Sequence, residues 1–127
     1  MATSVLVKLG KKFKFLTHTD VKEVVIANGE TVSTEVDFED YKEVGIMMPA
    51  AFTGTAITFQ ASDVSEGTFY EVRNDAGTAV SIVVAPERVI GIATVLKRNT
   101  IGPLRFVKLV SGTTETAART IKLILKR

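Results

Sequence analysis

The sequence predicts an all-β protein: a single-domain antiparallel β-sandwich of about eight or nine strands with an extended N-terminal arm. Three observations carry this. Apolar residues recur at every second position in several short runs, turn residues punctuate the chain roughly every 8 to 12 residues, and no long stretch keeps helical spacing. A small barrel is the other closure this spacing permits. At 127 residues the chain makes one domain, able to bury roughly two-thirds of the surface its unfolded form exposes. No internal repeat or long linker divides it. The expected division is 1–20 as an arm or edge strand and 21–127 as the sandwich.

In chain order, Lys12-Phe13-Lys14-Phe15 alternates, which suits a strand or an arm whose aromatics need a neighbour's groove. Val24 to Ala27 ends at Asn28-Gly29, a strong hairpin signal because both residues tolerate positive φ. The chain is then expected to return as a strand from Thr31 to Phe38, with Val32, Thr34, Val36 and Phe38 on one face. Phe38 to Glu43 reads as an acidic turn, and Val44 to Met48 as a strand stopped by Pro49. In the next strand Ile57, Phe59 and Ala61 share one phase while Thr58, Gln60 and Ser62 share the other. Turns at Asp63–Gly67 and Asn74–Gly77 bracket a strand from Thr68 to Arg73. Val80 to Val84, Val89 to Val95, Leu104 to Val110 and Thr120 to Leu125 complete the set.

The chemistry that composition excludes is substantial. With no cysteine and a lone histidine, His18, the chain has no thiol nucleophile, disulfide or zinc cluster. No glycine-rich phosphate loop is present. Asp37, Glu39, Asp40 and Glu43 are close enough in sequence to suggest paired carboxylates or a calcium loop, but their spacing matches no EF-hand and they read as a solvated turn. No enzyme activity, cofactor or metal is expected. No stretch approaches the ~20 apolar residues of a membrane span, and the N-terminal lysines follow the apolar run, opposite to a secretory signal. A soluble protein without a membrane partner is expected. Lys97, Arg98, Arg105, Lys108, Arg119, Lys122, Lys126 and Arg127 could form a basic stripe, but Phe106 reads as core, not as a stacking platform, so no nucleic-acid partner is expected. Without tryptophan and with only Tyr41 and Tyr70, a sugar-stacking site has few candidates.

Charge is segregated, although the net charge is only +2. Residues 1–22 carry five lysines and one aspartate, residues 23–43 carry seven acids and one lysine, and residues 97–127 carry eight bases and one acid. One reading pairs opposite charges across neighbouring strands; the other makes a self-complementary surface for assembly. On the second reading the assembly contacts are Lys11, Lys12, Phe13, Lys14 and Phe15 with Asp37, Glu39 and Asp40.

The runs VGIMMPAAFTGTAITFQASD, GTFYEVRNDAGTAVSIVV and PLRFVKLVSGTTETAARTIKLIL, with the Arg88-Val89-Ile90 segment between them, resemble a family of small virion proteins of tailed bacteriophages. The resemblance covers about Val44 to Leu125. It implies a jelly-roll-like or galactose-binding-like sandwich in which Ile57, Phe59, Tyr70, Phe106, Leu109, Ile121 and Leu123 are core positions. It also implies a capsid decoration protein that binds the major capsid protein on the outside of the shell and stabilises it. Such a protein is expected to be a homo-oligomer, with a trimer favoured, made in the host bacterial cytoplasm and ending in the virion. The alternative is a tail- or fibre-associated sandwich that binds a cell-surface glycan.

Overall fold

The computed structural model describes residues 4–9, 12–17, 19–39, 41, 43–92 and 104–126. The strands are β1 (Ser4–Leu9), β2 (Lys12–Thr17), β3 (Thr19–Ile26), β4 (Val36–Asp37), β5 (Glu43–Met47), β6 (Ala56–Ser62), β7 (Tyr70–Glu71), β8 (Ser81–Val83), β9 (Val89–Gly91), β10 (Phe106–Ser111) and β11 (Arg119–Lys126). Every ladder among the described residues is antiparallel. One sheet runs β3-β11-β5-β9 and the other β4-β10-β6-β7, with β8 also on β6. β1 and β2 form a ribbon of their own.

β7 and β8 both run antiparallel to β6, β7 against Gln60–Ala61 and β8 against Ala56–Thr58. They are two halves of one strand position, interrupted by a small hairpin closed by the Arg73–Ala79 bridge. Counted that way the sandwich has eight positions. One sheet holds the first, eighth, third and sixth, and the other the second, seventh, fourth and fifth. That interleaving is the double Greek key of a jelly roll, and it gives the all-β sandwich expected from the sequence its connectivity.

The core lies between the sheets and follows strand phase. From the β3 sheet come Val24, Ile26, Val44, Ile46, Ile121, Leu123 and Leu125; Val36, Ile57, Phe59, Ile82, Val107 and Leu109 face them. Leu109 pairs with Phe59 and Leu123 with Ile46 in register, so large strand side chains of the core form cross-strand pairs. Phe38 and Tyr41, at either end of the acidic turn, are both fully buried.

Several expectations are corrected. Tyr70 is 73 % exposed. Its register opposite Ala61 does give it the inward phase, but it lies at the end of the sheet, outside the packed interior. Phe106 is half-buried on the outer face; it and Leu109 are an odd number of residues apart, so a period-two strand cannot bury both, and Val107 and Leu109 take the core. The strand expected from Thr31 to Phe38 does not run as one piece. Residues 31–34 straddle the two sheets, Ser33 bridging Ile26 of β3 while Val32 bridges Val110 of β10, and the chain then passes to the second sheet, where β4 pairs with β10. The phase slips there, so Ser33 is buried and Thr34 exposed. At the Asn28-Gly29 turn only Gly29 has positive φ (82°), because Glu30 N–H closes the turn onto Ala27 with a single left-handed position. The strand expected over Thr68 to Arg73 is shortened to Tyr70–Glu71. The part of the Val89 to Val95 segment beyond Ile92 lies outside the described residues.

Candidate assembly surface

Part of the charge segregation seen in sequence is met by opposite charge inside the chain, in the Lys22–Glu39 and Arg105–Asp37 ion pairs and in the strand register. On the outer face of the β3 sheet, register sets Lys122 opposite Glu23 and Lys126 opposite Glu43. The basic C-terminal strand thus lies between two strands that carry acids. Asp37, at the end of β4, is met by Arg105 just before β10, whose Nε and terminal amine donate to the two carboxylate oxygens at 3.1 and 3.2 Å. Lys22 Nζ donates to the Asp37 carbonyl at 2.8 Å and to Glu39 Oε2 at 2.5 Å, and lies 5.5 Å from the centroid of the Tyr41 ring. The Tyr41 hydroxyl donates to Asp20. Partial burial opposes ionisation of Asp37 and is the largest single influence on it. The Arg105 guanidinium, the Glu39 N–H and Lys22 outweigh that together and hold the carboxyl below the usual range.

Of the assembly contacts expected from sequence, Asp37 and Glu39 are therefore brought together and engaged by Arg105 and Lys22. Lys12, Phe13, Lys14 and Phe15 lie on β2, whose backbone pairs with β1 from Leu9 to Leu6. Lys11 and Asp40 lie outside the described residues, as does His18.

Sequence reasoning missed an exposed apolar face that only register reveals. On the outside of the four-stranded sheet Val21, Ile124, Gly45 and Gly91 fall in one row across β3, β11, β5 and β9. The next row is Glu23, Lys122, Met47 and Val89. Val21 and Val89 are 57 and 61 % exposed, and Met47 is exposed beside them. Gly45 and Gly91 are directly paired, and two facing positions without side chains open a shallow trough of about 480 Å³ edged by Thr19, Glu43, Ile124 and Lys126. An apolar strip flanked by opposite charges in register is suited to protein contact, because it offers both area and register.

Also missed was Glu115, which is fully buried. Its carboxylate accepts from Thr53 N–H at 3.0 Å, Gly54 N–H at 3.2 Å, Ser111 Oγ at 3.1 Å and Arg119 Nε at 3.0 Å. Its backbone is tied to the Asn28-Gly29 turn, with Gly29 N–H donating to its carbonyl and its own N–H to Glu30. Burial raises its pKa and is the largest influence, but the donors from Thr53, Arg119, Ser111 and Gly54 outweigh it and leave the carboxyl below its ordinary range. A Cβ at Gly54 would overlap the Ser111 hydroxyl, so the loop approaches this carboxylate only as glycine. Glu115 binds four segments into one end of the sandwich and touches no solvent, which marks it as structural.

Among the described residues no group of three or more His, Cys, Asp or Glu is arranged to hold a metal ion. No helix of the described residues is long and apolar enough to cross a membrane. No protein-family model and no curated protein matches the chain. Among solved structures, the crystal structure of the SPBc2 prophage-derived protein YomS is similar: it superposes with a TM-score of 0.50 over 88 % of this chain and 97 % of that one, at 17 % identity. At that identity the likeness establishes a common fold, and the chain shares its sandwich with a prophage-derived protein.

Proposed function

We propose that the chain is a non-enzymatic structural protein of a phage virion, binding the outside of the capsid and stabilising the shell as a homo-oligomer, with a trimer favoured. The observation that carries this is the outer face of the β3 sheet, where Val21, Met47 and Val89 stand exposed around the Gly45–Gly91 trough. The jelly-roll connectivity supports it, since capsid domains are among the main users of that architecture, and so does the fold shared with a prophage-derived protein. The sequence runs that resemble small virion proteins point the same way. In this reading the outer face meets the shell, and the segment from Lys11 to Phe15 contacts a neighbouring subunit.

The test uses phage shells that lack the protein. Added wild-type protein is expected to co-sediment with them and to raise their melting temperature. Val21→Lys with Val89→Lys, both outward-facing, is expected to abolish co-sedimentation while leaving the protein's own unfolding midpoint nearly unchanged. Wild-type protein that stays monomeric at high concentration and leaves shells unbound would sink the proposal.

A further inference from the structure

Tyr70 presents a large aromatic ring to solvent with only Ala61 as its cross-strand partner, too small to cover it. The ring lines an open pocket of about 450 Å³ with Ala61, Ser62, Asp63, Thr68, Leu104 and Arg105, within the size range of small-ligand sites. Ala61 and Leu104 pack against the core and give the pocket an apolar side. Two of its polar residues, Ser62 and Arg105, are held in place by neighbours outside the pocket. The Ser62 hydroxyl donates to the Val64 carbonyl at 2.9 Å and accepts from the Val64 N–H at 3.1 Å, fixing the turn that carries Asp63. Arg105 is gripped by Asp37 and stacked 5.0 Å from the Phe106 ring centroid. Among the described residues the Asp63 carboxylate and the Thr68 and Tyr70 hydroxyls have no intramolecular hydrogen bond or ion pair.

We propose that this pocket is a subsite for a neutral hexopyranoside. An exposed phenol ring offers its electron-rich face to the apolar C–H face of a pyranose. An unengaged carboxylate accepts from two hydroxyls at once, so Asp63 would take an adjacent pair and Thr68 a third. The preference for an uncharged sugar follows from local charge: Asp37 offsets Arg105, and an acidic sugar would meet Asp63 directly. The site lies on the rim of the sandwich, apart from the residues of the apolar strip, and does not rest on the shell-binding proposal.

Methyl glucoside, methyl mannoside and methyl galactoside, titrated separately into the full chain and followed by saturation-transfer NMR and amide shifts, provide the test. At least one is expected to bind saturably at about millimolar concentration, with transfer from the aromatic protons to one face of the ring. Tyr70→Ala is expected to weaken binding about tenfold, the equivalent of about 1.4 kcal/mol of stacking, and Asp63→Ala by a similar factor, while Tyr70→Phe binds nearly as wild type. Both residues are exposed, so melting temperatures should not change. Absence of saturable shifts with all three sugars, or undiminished binding by the Tyr70→Ala protein, overturns the assignment.

Discussion

Glu115 has no solvent contact, yet it is better satisfied than most surface carboxylates: two backbone amides, a hydroxyl and a guanidinium converge on it. The desolvation cost of a buried charge is offset only when geometry supplies that many donors. Removing the charge should therefore cost more than an ordinary substitution. Glu115→Gln is expected to lose about 3 kcal/mol in denaturant unfolding, because an amide nitrogen must replace one acceptor and confront a donor. The pH dependence has a definite sign. The folded carboxyl titrates below its ordinary value of 4.5, so its contribution is complete above that pH and is lost as pH falls through the folded value. Asp37 acts in the same direction. Wild-type stability should decline below pH 4.5, and the Gln variant should lose less on acidification; an identical acid limb in both proteins would exclude Glu115 as its source. Nothing around Glu115 in sequence signals this role, since Thr53 and Gly54 are brought to it only by the fold.

At the scale of the strand, pairing decides what charge and phase alone leave open. Lys122 lies opposite Glu23 on the outer face, and Lys122→Glu would set like charges directly across the ladder. A loss of about 0.5–1 kcal/mol is expected, shrinking with added salt and restored by Glu23→Lys in the same chain; a loss that the second substitution fails to restore would mean the pair is not coupled. The same distinction explains which elements were legible in sequence. Ile121, Leu123 and Leu125 alternate without interruption and are all fully buried, as are Ile57 and Phe59, because a half-buried strand must keep one phase. Alternation says which face of a sheet a residue takes, but not whether the opposite sheet extends far enough to cover it, and Tyr70 falls in that gap. It also cannot register a change of sheet, so the slip at Ser33 was invisible. The apolar row from Val21 to Gly91 depends on strands far apart in sequence and becomes visible only once β11 is seated between β3 and β5.

For the molecule as a whole, the jelly roll closes using residues 19–126: every ladder of its two sheets is made there, while β1 and β2 pair with each other. A two-stranded ribbon is marginal on its own in water and needs a further surface to pack on. In sequence this one carries Leu6, Leu9, Phe13, Phe15 and Leu16 among four lysines between residues 8 and 14, a composition that favours packing on another surface over free solvation. If that surface belongs to a neighbouring subunit, the ribbon contributes to assembly and little to the fold. Deleting residues 1–17 should then shift the unfolding free energy by less than about 1 kcal/mol while sharply reducing self-association in sedimentation equilibrium and binding to shells. The two measurements separate the alternatives. A truncated chain that unfolds far more easily would show the ribbon to be part of its own sandwich, covering apolar surface within one subunit. A truncated chain that folds and still assembles like the full one would remove the N-terminal segment from the interface and leave the apolar strip of the β3 sheet as the contact to pursue.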